Sequence, residues 1–157
     1  SNYGDNAFDS VLLIDNLNFG PSGNLGFESG LSGYTVVDNG AGSVSVVSSA
    51  VSYNGNTYLP TEGNNFAKII AGGDDDNNVT GADTTAFGGT DGAYLLVTHP
   101  ITLYVDDTPS FDWAFLARDY MPYEDFAFFL HTDTAGIPSN PVLNEDYEVL
   151  AKIGAVP

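Results

Sequence analysis

The chain has 157 residues, is 43% hydrophobic and 13% aromatic, and sets 21 acidic side chains against three basic ones for a formal net charge of −18. Lys68, Arg118 and Lys152 cannot form a basic patch, which argues against nucleic acid and anionic membrane as partners, and the aromatic content separates the chain from acidic disordered tails. The absence of cysteine excludes disulfides and thiolate metal sites, and no apolar run reaches the roughly 18 residues of a spanning helix, so no transmembrane segment is expected.

Gly, Asn, Asp, Ser and Thr punctuate the chain roughly every 8–12 residues, the spacing of a sandwich or barrel. In chain order, strands are expected over 10–19, 35–37, 43–47, 65–70, 93–99, 101–105, 110–116, 125–131 and 147–153, where Val, Ile, Tyr, Phe and Thr dominate. In 110–116, strict alternation puts Phe111, Trp113 and Phe115 on one face and Asp112 on the other. Trp113 is expected in the core. Residues 53–65 and 71–90 read as polar loops, the second long enough to suggest a function or a metal site. No repeat and no domain boundary appear. The expectation is one all-β domain over 1–157, an antiparallel β-sandwich with few or no helices.

Two carboxylate groups stand out. The first is Asp74, Asp75 and Asp76 after Gly72-Gly73, with Asn77 and Asn78 and then Asp83 and Asp91. Three adjacent carboxylates repel one another, and burying them without a cation is costly. Calcium takes six to eight oxygen ligands, which carboxylates, Asn amides and loop carbonyls supply. The second is Arg118-Asp119-Tyr120-Met121-Pro122-Tyr123-Glu124-Asp125, a turn between two aromatic strands. There Asp119 and Asp125 can share a cation, or Arg118 can neutralise Asp119. Asp119, Tyr120, Tyr123 and Glu124 are the candidate ligand contacts. His99 and His131 are isolated and form no zinc site. No Gly-x-Ser-x-Gly elbow is present, and no sequence feature sets two carboxylates apart as a glycosidase acid and nucleophile. The chain is therefore read as non-catalytic, with Ca2+ as its cofactor and a secreted, cell-surface location.

The run Gly26-Phe27-Glu28-Ser29-Gly30-Leu31-Ser32-Gly33-Tyr34-Thr35-Val36 resembles the opening strand of jelly-roll modules in bacterial extracellular proteins, with Tyr34 where Trp is usual. Phe111-Asp112-Trp113-Ala114-Phe115 and the turn after it look like the calcium-dependent ligand-binding modules of bacterial adhesins. Phe8-Asp9-Ser10-Val11-Leu12-Leu13-Ile14-Asp15-Asn16-Leu17 is similar to the closing strand of such jelly rolls, yet it comes first here. The resemblance implies a jelly-roll sandwich of permuted or incomplete strand order. It also implies a structural calcium shared by Asp15 and Glu28.

Two functions follow. One is a calcium-stabilised adhesion module that binds an extracellular peptide or glycan. The other is a filament subunit whose N-terminal strand, residues 1–19, crosses into a neighbouring copy through Val11, Leu13, Ile14 and Leu17, since open sheet edges template strand addition.

Overall fold

The computed structural model describes residues 9–38, 42–72, 92–98, 101–104, 106–118, 125–131 and 147–153. Among them are ten strands and a single 3-10 turn at Gly20–Ser22, with no α-helix. Every strand pairing described is antiparallel. The chain is an antiparallel all-β protein of sandwich type.

One four-stranded sheet organises the molecule. Its order is β3 (Ser43–Val47), β6 (Phe66–Ile70), β1 (Val11–Asn18) and β8 (Ser110–Leu116). Three two-stranded sheets accompany it: β2 (Tyr34–Asp38) with β7 (Ala93–Val97), β9 (Phe126–Leu130) with β10 (Tyr147–Lys152), and β4 (Val51–Tyr53) with β5 (Asn56–Tyr58).

β1 serves both faces of its sheet, and a bulge turns its C-terminal end toward the second. Leu13 pairs with Ala114 and Asp15 with Asp112, but the next partners are Asn18 and Ser110, so β1 takes three steps where β8 takes two. Asn16 absorbs the extra residue with φ 52°, a conformation Asn tolerates better than most residues. Before the bulge, Val11 and Leu13 join Phe66 and Leu116 in one core, covered by the β4–β5 hairpin through Val51, Tyr53 and Tyr58. After it, Leu17 and Phe19 join Phe27 and Ala67 in a second core on the other face, closed by Tyr34 of β2 and Leu95 of β7. Phe27 is fully buried and stacks on Tyr34 at 5.3 Å between ring centres. On the same side Phe111 of β8 stacks on Phe129 of β9 at 5.2 Å. Full burial of such a side chain contributes about 1.5–3 kcal/mol.

Most expected strands are present within a residue or two of their expected bounds, and three readings need correction. Residues 101–104 are irregular, not a strand. Ile101 still packs in the second core, but Tyr104 N donates to Asp107 Oδ2 at 2.7 Å and Asp107 N donates back to Tyr104 O at 3.0 Å, so a local turn takes the hydrogen bonds a ladder would need. Residues 53–65 are not all loop, because Val51–Tyr58 folds as a hairpin about Asn54 (φ 48°) and Gly55 (φ 78°). Trp113 is 43% exposed, since β8 is an outer strand of the described sheet and the second core reaches it only at Phe111. No described helix is long and apolar enough to cross a membrane.

The N-terminal strand lies in the middle of its own sheet, between β6 and β8. Of the residues expected to serve assembly, Val11, Leu13 and Leu17 are buried and Ile14 is partly buried against the second core.

Candidate functional site

The segment 59–65 connects the hairpin to β6 and is held down by two carboxylates. Asp15, only 4% exposed, sits at the bulge of β1. Its Oδ2 accepts from Thr61 N at 2.7 Å, Glu62 N at 3.0 Å and Thr61 Oγ1 at 3.3 Å, while its Oδ1 accepts from Asn16 N at 2.8 Å. Glu28 reaches the same segment from the other side, and its Oε1 accepts from Asn64 N at 2.8 Å and Asn65 N at 2.7 Å. The structure thus brings Asp15 and Glu28 to one loop, where each takes main-chain N–H donors.

Gly63 makes room for this grip. Its φ is +60°, and a Cβ there would come within 2.6 Å of Glu28 Oε1. We expect Gly63→Ala to cost about 2–3 kcal/mol in urea denaturation, combining left-handed backbone strain with displacement of the Glu28 carboxylate. In a Glu28→Ala background the same substitution is expected to cost only about 1 kcal/mol, the backbone share alone.

Beside the loop lies an open groove of about 210 Å³, lined by Leu13, Ile14, Asp15, Tyr58, Leu59, Thr61, Phe66, Asp112, Trp113 and Ala114. Register explains its floor, because Leu13 pairs with Ala114 and Asp15 with Asp112, which places these four on one face. Leu59, 63% exposed, stands at the wall. Asp112 is exposed, and Asn16 Nδ2 donates to its Oδ2 at 3.2 Å. Asn24 Nδ2 donates in turn to Asn16 Oδ1 at 3.4 Å, so a chain of amides steadies the acidic end. The result is an apolar trough with carboxylates at one end, a shape and chemistry suited to binding.

A second junction lies at the start of β1. Ser10, 2% exposed, donates from N to Asp125 Oδ2 at 2.8 Å, and Asp125 is fully buried. Ala71 N donates to Ser10 O, and Arg118 N to Ser10 Oγ, both at 3.0 Å. A Cβ on Gly42 would lie 2.8 Å from Ala71 O and 3.0 Å from Gly92 O, so Ala71 and Gly92 come together there. Ala71 and Arg118, which precede the two acidic stretches of the sequence, are therefore both bonded to Ser10. Asp74, Asp75, Asp76, Asp83, Asp91, Asp119, Tyr120, Tyr123 and Glu124 lie outside the described residues. Among the described residues no three His, Asp or Glu side chains are grouped to hold a metal ion.

No known family model, curated protein or solved structure matches this chain. The groove and its chemistry are thus the basis for a functional reading.

Sequence reasoning missed Leu59, Thr61 and Asp112 as site residues. One signal was available, since Asn-Gly between Val51-Ser52-Tyr53 and Asn56-Thr57-Tyr58 is a strong hairpin mark and would have placed Tyr58 on a strand facing the core.

One pH effect arises from the second core. Tyr34 donates its hydroxyl to Leu25 O, and burial pushes its phenol up to about 12. A raised phenol favours the neutral form in the folded chain, so its contribution is complete below pH 10 and lost as pH rises toward 12. The ring is only partly buried, so solvent screening reduces the effect to about 1 kcal/mol. Urea denaturation at pH 9 and pH 11.5 should show this loss in the native chain and not in Tyr34→Phe.

Proposed function

We propose that this chain is a non-catalytic recognition module of an extracellular surface, stabilised by calcium, which holds a peptide or glycan in the groove between β8 and the 59–65 loop. The observation that carries the reading is the groove itself: an apolar trough with Leu59 and Trp113 exposed at its edge and two carboxylates at one end. Large apolar side chains left exposed around a concavity, with a few polar groups to orient a ligand, are the usual chemistry of recognition.

The calcium part rests on charge and placement. A chain of net charge −18 repels itself unless cations sit among its carboxylates. Ala71 and Arg118, each of which precedes an acidic stretch in the sequence, both bond to Ser10, as does the buried Asp125. The filament reading has less support, because β1 already has partners on both sides within its own chain.

The test is thermal unfolding together with ligand capture, each with millimolar Ca2+ and with chelator. The melting temperature should rise with Ca2+ by mass action and fall in chelator, and capture should fall with it. A melting curve and a capture level that both ignore Ca2+ would rule out the calcium part and leave the groove reading standing.

A further inference from the structure

The groove's chemistry narrows its ligand. Its floor and wall are apolar (Leu13, Phe66, Leu59, Ala114), and its one charged end is acidic (Asp15, Asp112). Asp112 pairs with Asp15 in the last row before the bulge, so the carboxylates close the trough on the bulge side. The charged groups near it are almost all of one sign. Glu62 adjoins Thr61 in the loop. The basic side chain on this face among the described residues is Lys68, which pairs directly with the lining residue Leu13 but does not itself line the groove. Arg118 is engaged elsewhere, over the Tyr53 ring at 5.9 Å.

We infer that the groove takes a cationic side chain of a peptide, lysine or arginine, with its alkyl stem along Tyr58, Leu59 and Ala114 and its charge at Asp112. This inference rests on the recognition reading and specifies its ligand. Lysine and arginine stems lie readily on apolar surface while their heads seek charge, and an amphipathic trough with an acidic end complements that shape. The carboxylates of Asp15 already accept four hydrogen bonds from the chain, so Asp15 supplies field and Asp112 supplies contact. A neutral sugar would gain stacking on an exposed ring but nothing from the paired carboxylates, which is why a peptide is favoured over a glycan here.

The experiment follows amide and indole shifts of Leu13, Leu59 and Trp113 by NMR while titrating a short end-capped peptide with one central lysine, and the same peptide acetylated on that lysine's amine. Wild-type protein should bind the lysine form about tenfold more tightly. Asp112→Asn, at an exposed position, should erase that preference. Leu59→Ser should weaken both peptides. Asp106→Asn, an exposed acid outside the groove, should change neither. If Asp106→Asn weakens the lysine peptide as much as Asp112→Asn does, attraction by the whole acidic surface accounts for binding and the inference falls. If the acetylated peptide shifts the groove residues equally well, the cationic inference falls and the recognition reading holds. If neither peptide shifts them, the inference also falls. A neutral oligosaccharide titrated in parallel then decides the broader reading, which survives if the sugar moves the groove residues and fails if it does not.

Discussion

A chain cut back to begin at Gly20 is expected to be unfolded. β1 is an inner strand with β6 on one side and β8 on the other, so its loss opens two ladders together. It also empties both cores, because Val11 and Leu13 leave the first, and Leu17 and Phe19 the second. At about 1.5–3 kcal/mol for each of these four side chains, the loss is about 6–12 kcal/mol, comparable with the whole stability of a typical domain. Ser10 goes as well, and with it the bonds from Ala71, from Arg118 and to Asp125 that tie three elements together. Circular dichroism and a proton NMR spectrum without dispersion would register the result. A free peptide of residues 9–19 at micromolar concentration is not expected to restore the fold, since the tethered strand acts at an effective concentration in the millimolar range. Full restoration by micromolar peptide would instead establish that the remaining chain is a preformed acceptor, and would promote strand exchange between copies to the leading reading.

How much of this was legible in the sequence depends on which physical signal each part leaves. The strands of the main sheet are visible because alternation and β-branched content are local. Ser43–Val47 and Ser110–Leu116 have the bounds their composition suggests. The bulge is not visible, since nothing in Asp15-Asn16-Leu17 announces that Asn16 will take a positive φ. Without it Leu17 would share a face with Val11 and Leu13, and β1 would reach the second core through Ile14 but not through Leu17. Trp113 misled for a related reason. Period-two alternation assigns a face but not the extent of what covers that face, and cover depends on where distant strands end. The carboxylates show the same limit. Composition marks Asp15 and Glu28 as acids, but only the fold reveals that both point to one loop, 46 and 36 residues onward in the chain at the nearest bonds.

The second large effect is expected at Asp15. Asp15→Ala should lower stability by about 3–4 kcal/mol. The carboxylate is almost fully buried and accepts four hydrogen bonds, three of them from main-chain N–H groups of Asn16, Thr61 and Glu62. Bonds to a charged acceptor are worth about 1.5–3 kcal/mol each, and donors stripped of a partner cost more than the bond gained, but Thr61 is exposed and water will meet part of its need. That compensation keeps the total below the simple sum. Asp15→Asn should recover about half, because an amide oxygen can replace Oδ2 toward Thr61 and Glu62 while its NH2 faces the Asn16 N–H, where no acceptor remains. The two variants also separate stability from site. If Asp15 fixes the groove wall through the loop, hydrogen exchange at the Thr61 and Glu62 amides should speed up in Asp15→Ala well before global unfolding, and Leu59 should lose its ordered shift. Exchange that stays slow at those amides while global stability falls would mean that the loop is held by Glu28 alone, and that Asp15 acts only within β1.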